Sequence, residues 1–445
     1  MAAVDAASEV MMGLTSGIRD YHPRVLRLDT PEEVRTEMER IGVSQEGAAV
    51  MVPKGTFRAV KLSGVSAAQA NIVKQEMLAK GGEAAVNWTC YRAEEGAQSD
   101  VLLLGTLRHY RRLIAKLRAQ PRSLGLGPLA EALEGVLRRY AGETRGEMAL
   151  AGRTLHWGER TYVMGVLNLT PDSFSGDGLL RERESLLEAA MTQALRFAEE
   201  GADLLDVGGE STRPGAEKVS LEEEMARVVP VIERLAGEVD LPTSVDTYKA
   251  AVARAALEAG AHLVNDVWGL RDPAGEGWNE ALAGVVREAG VPIVLMHNRR
   301  ARATVGDLGG HYRQVEYGDL LGEILSDLEE SIAYAVGQGI PWEGIIIDPG
   351  IGFGKTPAQN LEVMKRLAEL RSLGRPIVLG TSRKSFIGLA LDLPPEERLE
   401  GTLATLALGV TAGVDVVRVH DVKEAVRAVR ISDAIVRREG EAERS

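Results

Sequence analysis

From residue 161 onward the chain alternates between short apolar runs and longer stretches whose apolar positions recur three and four apart. The runs are TYVMGVLNL (161–169), DLLDVGG (203–209), TSVD (243–246), HLVND (262–266), PIVLM (292–296), GIIID (344–348), PIVLGT (376–381) and DVVRV (415–419). Such short apolar runs read as buried strands, while segments such as ESLLEAAMTQALRFAEEG and NLEVMKRLAELRSLG have the spacing of amphipathic helices. Gly201, Gly260, Gly290, Gly339, Gly374 and Gly413 stand where these helices should end, as left-handed C-terminal caps do. Eight strand–helix units in about 280 residues predict an α/β fold, a (β/α)8 barrel over 151–445. The rival architecture, a doubly wound open sheet, seldom needs eight such regular units.

The first 150 residues follow another pattern. The stretch up to residue 23 has no clear periodicity and is expected to lack order. RVLRLDTPEEVRTEMERIG reads as a strand and a helix, with Thr30 and Glu33 forming a capping box and Pro31 at the first helical position. FRAVKLSGV predicts a strand and SAAQANIVKQEMLAKGG a helix capped by Ser66; SDVLLLGT and LRHYRRLIAKLRAQP repeat the pair. A small α/β module over 24–150 is therefore expected, joined to the barrel through RYAGETRGEMALAG (139–152). Arg108, Arg111, Arg112, Lys116 and Arg118 suit either contact with a polyanion or a solvated face, the commoner use of such a run.

Composition narrows the class. The 445 residues are 45% hydrophobic and 26% charged, the balance of a soluble globular chain. Residues 1–150 hold 20 basic against 18 acidic side chains and the remainder 32 against 47, so the larger part is acidic. A nucleic-acid binder would carry a basic stripe, and none is expected to bind here. No apolar run reaches the ~18 residues a membrane span requires; residues 401–414 come nearest and Asp415 ends them. Asp5 and Glu9 stand where a signal peptide would be positively charged. The single cysteine, Cys90, excludes an internal disulfide framework and a cysteine-based zinc site, and fits a reducing, cytoplasmic setting.

Chemistry in a barrel of this kind gathers at the C-terminal ends of the strands. Those ends carry Asn168, then DVGGESTRPG, Asp246, Asn265-Asp266, Met296-His297, Asp348, Ser382-Arg383-Lys384-Ser385, and Arg418 with His420. A lone buried polar group is usually structural, but eight strands ending this way exceed what packing asks for. Asp246, Asn265 and Asp348 offer donors and acceptors suited to a flat, nitrogen-rich heterocycle. Arg383, Lys384, Arg418 and His420 follow strands seven and eight, where barrels often hold a phosphate, although Arg383 could instead pair with a carboxylate for stability alone. The stretch IIIDPGIGFGKTP (345–357) imitates a phosphate cradle, yet Pro349 occupies the position of the first P-loop glycine and has no N–H to offer. No G-x-S-x-G elbow or H-E-x-x-H pair is present, and His156, His262 and His311 lack metal-ligand spacing. Magnesium, held by few protein ligands and by substrate phosphates, leaves almost no trace in a sequence.

At these residues the chain closely resembles dihydropteroate synthase of folate biosynthesis. MGVLNLTPDSFS, DVGGESTRPG, SVDTYK, NDV, LMH, DPGIGFGK, SRKSFIG and RVHDV match the family's pattern in the family's order, over residues 161 to about 437. The resemblance implies condensation of a dihydropterin methyl diphosphate with 4-aminobenzoate, the diphosphate departing ahead of arylamine attack. It implies a pterin held by Asp246, Asn265, Asp348 and Lys384, with Met296 and Gly380 lining its slot. Asn168, Arg418 and His420 would bind the diphosphate, Asn168 would also meet Mg2+, and Phe174, Thr212, Arg213, Pro214 and Ser385 would shape the aminobenzoate site. Asn168, Asp246, Lys384, Arg418 and His420 are thus the expected catalytic set. Family barrels pair through helices late in the chain, so a homodimer is expected. Two departures stand out: SFSGDG replaces the family's SFSDGG, so no role falls to Asp177, and NRRARATVGD after LMH fits no family pattern. A methyltetrahydrofolate–corrinoid methyltransferase would share Asp246, Asn265 and Asp348 but has no use for the groups that bind diphosphate. A non-catalytic homologue, acting as a binding or scaffold protein, is the other alternative.

Overall fold

The computed structural model describes residues 21–92, 96–169, 183–211, 218–273, 277–305 and 311–437. The lead segment expected to lack order lies, up to residue 20, outside them. The chain divides into two compact units, Met1–Gly135 and Val136–Ser445.

In the first unit α1 (Pro31–Arg40) begins at the expected capping box. The Thr30 hydroxyl accepts from Glu33 N–H at 3.1 Å, and the Glu33 carboxylate accepts from Thr30 N–H at 2.8 Å. There follow α2 (Gln45–Gly55), β1 (Phe57–Ser66), α3 (Ala67–Ala79), β2 (Glu83–Val86), β3 (Gln98–Thr106), α4 (Leu107–Arg118) and α5 (Leu126–Ala141), which continues past residue 135. The three strands form an antiparallel sheet in the order β1-β3-β2. Val73, Met77, Val101, Leu103, Tyr110, Leu113 and Leu117 make its buried core. The strand expected over residues 24–29 does not form: Val25 is fully exposed and no described strand pairs with it, so its backbone has no ladder to join. Of the basic run, Arg111, Arg112, Lys116 and Arg118 are exposed on α4, and Arg118 is met by Glu131 and Glu134 of α5.

The second unit opens with the end of α5 and a hairpin, β4 (Glu147–Leu150) and β5 (Arg153–His156), where the sequence suggests only a joining stretch. Eight parallel strands follow: β6 (Tyr162–Asn168), β7 (Leu204–Gly208), β8 (Thr243–Asp246), β9 (Leu263–Asp266), β10 (Ile293–Met296), β13 (Ile345–Asp348), β14 (Val378–Leu379) and β15 (Val416–Val419). A small pair, β11 (Thr304–Val305) and β12 (Tyr312–Gln314), lies in the loop after β10. Hydrogen bonding runs β13-β10-β9-β8-β7-β6-β15-β14, and a parallel bridge between Ile347 and Ile377 joins the two ends. The sheet thus closes as the expected barrel. Strand interiors are continuously apolar because helices cover the outside while side chains fill the inside. At the N-terminal end Tyr162, Met164, Leu204, Leu263, Val294, Ile346, Val378 and Val416 pack with Met148, Leu150, Leu155 and Trp157, so the hairpin plugs the barrel floor.

Candidate active site

Parallel register brings the polar strand ends to one rim. Asn168 stands beside Gly208, Gly208 beside Asp246, Asp246 beside Asn265, and Met296 beside Asp348. Asp246, Asn265, Met296 and Asp348 are all buried. Arg418, from β15, reaches across: its Nε donates to Asp206 Oδ2 at 2.6 Å and its Nη2 to Asp246 Oδ2 at 2.7 Å. Asn265 Nδ2 donates to the same Asp206 oxygen at 3.1 Å. One guanidinium is shared by two carboxylates. Burial pushes the Asp246 carboxyl up to about 7, with Arg418 opposing the rise and the Asp206 charge adding to it.

The cations of strands seven and eight divide into two roles. Lys384 Nζ donates to the Ile351 carbonyl and lies 4.8 Å from the centre of the Phe353 ring. Burial lowers its pKa to about 8 against the pull of Asp348. A Cβ added at Gly380 would lie within van der Waals reach of both Lys384 Nζ and Arg418 Cβ. Arg383, by contrast, grips Asp421 with two nitrogens, Nε to Oδ2 at 2.9 Å, and its side chain is 41% exposed. It belongs to the surface pair rather than to an anion site. His420 Nδ1 lies 2.9 Å from Ser382 Oγ and its Nε2 3.3 Å from Asn168 Nδ2. With the amide as donor, Nε2 accepts and Nδ1 faces the Ser382 hydroxyl.

The loop after β13 holds the remaining geometry. Gly350 N–H donates to Asp348 Oδ1 at 2.6 Å, while burial raises that carboxyl against the charge of Lys384. Lys355 is fully buried, and its Nζ lies 2.9 Å from the Gly350 carbonyl, 3.2 Å from the Phe353 carbonyl and 2.8 Å from His297 Nδ1. His297 Nε2 in turn meets Asp327 Oδ2 at 3.1 Å, which also accepts from Arg299 Nε at 2.9 Å. Despite its own burial, Asp327 is held below the usual carboxylate range by His297 and Arg299. Burial, with the Lys355 charge, pushes His297 down to about 3.

A family model for pterin binding enzymes matches residues 164–420. The chain is 50% identical to a dihydropteroate synthase of Bacillus subtilis over 287 residues, 64% of this chain and 92% of that one. It superposes on a dihydropteroate synthase from Clostridium difficile, solved in the presence of pteroic acid, with a TM-score of 0.56 and 46% identity, covering 63% of this chain and 99% of that one. The chain belongs to the dihydropteroate synthase family.

A longer match sets the first unit in context. A probable bifunctional folylpolyglutamate synthase/dihydropteroate synthase of Halobacterium salinarum is 40% identical over 408 residues, 92% of this chain and 46% of that one. Residues 136–445 are too few to supply 408 positions, so that match reaches well into the first unit. This chain spans about half the length of that bifunctional relative.

Of the residues expected from the family pattern, Asn168, Asp246, Asn265, Met296, Asp348, Gly380, Lys384, Arg418 and His420 all come from strand ends at one rim or the loops that leave it. Ser385 begins the helix Ser385–Leu391 directly after Lys384. Phe174, Thr212, Arg213 and Pro214, like Asp177, lie outside the described residues. His297 faces Lys355 and Asp327 instead of offering a free ligand at the mouth. Two features go beyond the sequence reading. Asp206, two residues before the end of β7, is the carboxylate that Arg418 and Asn265 share. Lys249 Nζ ties Glu210 (2.7 Å), Glu224 (2.6 Å) and the Val219 carbonyl (2.6 Å), and so fastens both described ends of the loop after β7 to the start of the next. Inward alternation along β7 would have pointed to Asp206; no local signal marks the Lys249 cluster.

Proposed function

We propose that the chain condenses (7,8-dihydropterin-6-yl)methyl diphosphate with 4-aminobenzoate to give 7,8-dihydropteroate and diphosphate, a transferase step of folate biosynthesis. The observation that carries this reading is the shared guanidinium: Arg418 lies between Asp206 and Asp246 on a buried rim that also holds Asn265, Asp348 and Lys384. Carboxylates outnumber cations on that rim, three to two, an arrangement suited to a substrate that turns cationic as it reacts.

Asp348, with one oxygen held by Gly350 N–H, and Asn265 provide hydrogen-bonding groups for the edge of the pterin ring. Lys384 and Met296 bound its faces. The CH2–O bond breaks with its electron pair leaving on the diphosphate, and the ring spreads the resulting positive charge. Asp246 opposes that charge electrostatically. Arg418, with Nε and Nη2 spent on carboxylates, has Nη1 to offer the leaving group, and His420 and Asn168 flank it. The arylamine nitrogen then bonds to the methylene carbon and gives up one proton to solvent, so positioning matters more than a strong base. Phe174, Thr212, Arg213, Pro214 and Ser385 are the family's aminobenzoate set and are assigned that role here.

A Mg2+ ion fits this donor set. Asn168 spends its amide N–H2 on His420, which leaves a hard oxygen ligand beside the diphosphate position. Bound there, the ion would neutralise phosphate charge as it grows.

We further assign a homodimer and a cytoplasmic setting. Leu389, Leu391, Leu408, Ile431 and Ile435, on helices late in the chain, are each more than half exposed, an apolar surface a second copy would cover. Sedimentation equilibrium is expected to give twice the chain mass; a monomer at micromolar concentration would overturn that assignment. No helix among the described residues is long and apolar enough to cross a membrane.

Incubating the purified chain with both substrates and magnesium tests the reaction. Dihydropteroate is the expected product. Pterin binding without product would favour the non-catalytic homologue, and methyl transfer from methyltetrahydrofolate to a corrinoid would favour the methyltransferase.

A further inference from the structure

We propose that Lys355 is a positioning residue for the pterin pocket: its buried amine locks the glycine loop 349–354 onto the loop after β10, and thereby sets Asp348 and Lys384. This inference rests on the pterin-binding reading above.

Three observations support it independently. The first is the seam itself. Gly350 has φ 66°, and a Cβ there would land on the His297 carbonyl oxygen; Gly354 has φ 59°, and a Cβ there would land on the Arg299–Arg300 peptide. Backbone therefore packs on backbone between the two loops, which only glycine allows.

The second is the hydrogen-bond count. Lys355 Nζ lies within hydrogen-bond distance of three groups: the carbonyls of Gly350 and Phe353 on its own loop, and His297 Nδ1 across the seam. Asp327 accepts from His297 Nε2–H, which leaves Nδ1 as a lone pair aimed at the amine. Arg299 holds Asp327 in turn. Each group fixes the donor or acceptor state of the next. Burial lowers the Lys355 pKa well below that of an ordinary lysine, with the Asp348 charge opposing the fall.

The third is what the loop carries. Residues 350–353, whose first and last carbonyls Lys355 grips, carry the Gly350 N–H that aligns Asp348, the Ile351 carbonyl that receives Lys384, and the Phe353 ring that Lys384 overlies. Lys355 touches no expected substrate atom. It acts through these three groups.

The test compares wild type with Lys355→Met, which keeps the apolar stem and removes the amine, and with Asp327→Asn, which leaves the lysine in place and loosens the imidazole. Calorimetry with the dihydropterin methyl diphosphate gives pterin affinity, and steady-state assays separate pterin KM from kcat. Lys355→Met is expected to raise the pterin Kd and KM by about tenfold or more, with a smaller change in kcat; Asp327→Asn is expected to shift both in the same direction by less. A merely structural lysine would lower the melting temperature and leave Kd unchanged, and that result overturns the proposal. If Lys355→Met does not fold, Asp327→Asn decides: wild-type pterin affinity in it overturns the proposal, weaker affinity supports it. Wild type that binds no pterin would overturn the proposed reaction and this inference together, whereas equal binding by wild type and Lys355→Met overturns the inference alone.

Discussion

Asp246 is pushed up to about 7 and Lys384 down to about 8, because burial disfavours the charged form of each. Pterin recognition needs Asp246 as an acceptor and Lys384 as a cation. Affinity for the dihydropterin should therefore rise as pH climbs through about 7 and fall again above about 8. Calorimetry across pH 5.5–9.5, taken as about that range, checks this, and Lys384→Ala should abolish the upper limb. The folded pKa of Asp246 also lies above the ~3.9 of an unfolded aspartate. Folding then takes up a proton between those values, so Asp246 makes stability fall as pH rises from about 4 to about 7. Asp246→Asn should flatten that part of the slope in denaturant titrations. At this scale the sequence was most informative where a residue ends a strand, as Asp246, Asn265 and Asp348 do. It was least informative where the role depends on a partner far along the chain. Lys355 and His297 are 58 positions apart, and nothing near either one marks the pairing.

The eight strands were legible because each is buried on both faces and so reads as an unbroken apolar run; even β14, two residues long, lies within PIVLGT. The β4–β5 hairpin was not. Its strands have four residues each, and their alternation around Gly152 resembles a polar connection more than a structural element. Its inward residues nonetheless complete the barrel floor. In addition, Tyr162 Oη accepts from His156 N–H at 2.8 Å. Residues on the floor face of a barrel serve stability more than chemistry. Leu155→Ala should thus cost about 2–5 kcal/mol of unfolding free energy, read from urea titration, with KM for both substrates unchanged below the melting transition.

The second unit begins well before the barrel's first strand. Residues 139–145 are fastened to the barrel: Arg139 Nε donates to the Ser372 carbonyl at 2.7 Å, Thr144 Oγ1 to that of Gly374 at 3.3 Å, and buried Arg145 pairs with buried Asp415 at 3.1 Å. Asp415 Oδ2 also accepts from Ile377 N–H at 3.0 Å, so the ion pair reaches the closing strands. A fragment of residues 136–445 should fold and retain activity. A fragment of 151–445 strands Asp415 without its cation and removes β4, and should lose at least about 3–5 kcal/mol. Thermal unfolding of the two fragments distinguishes them; equal melting temperatures would show that the 139–150 segment is dispensable.

The glycine seam between the loops after β10 and β13 makes those loops a single packing unit. The backbone of residues 297–300 fits only a partner lacking side chains at Gly350 and Gly354, and the amine of Lys355 needs an acceptor where His297 Nδ1 stands. A chimera that imports the arginine-rich loop 298–311 into another barrel must therefore bring residues 349–355 with it. The same loop transplanted alone would meet a foreign seam.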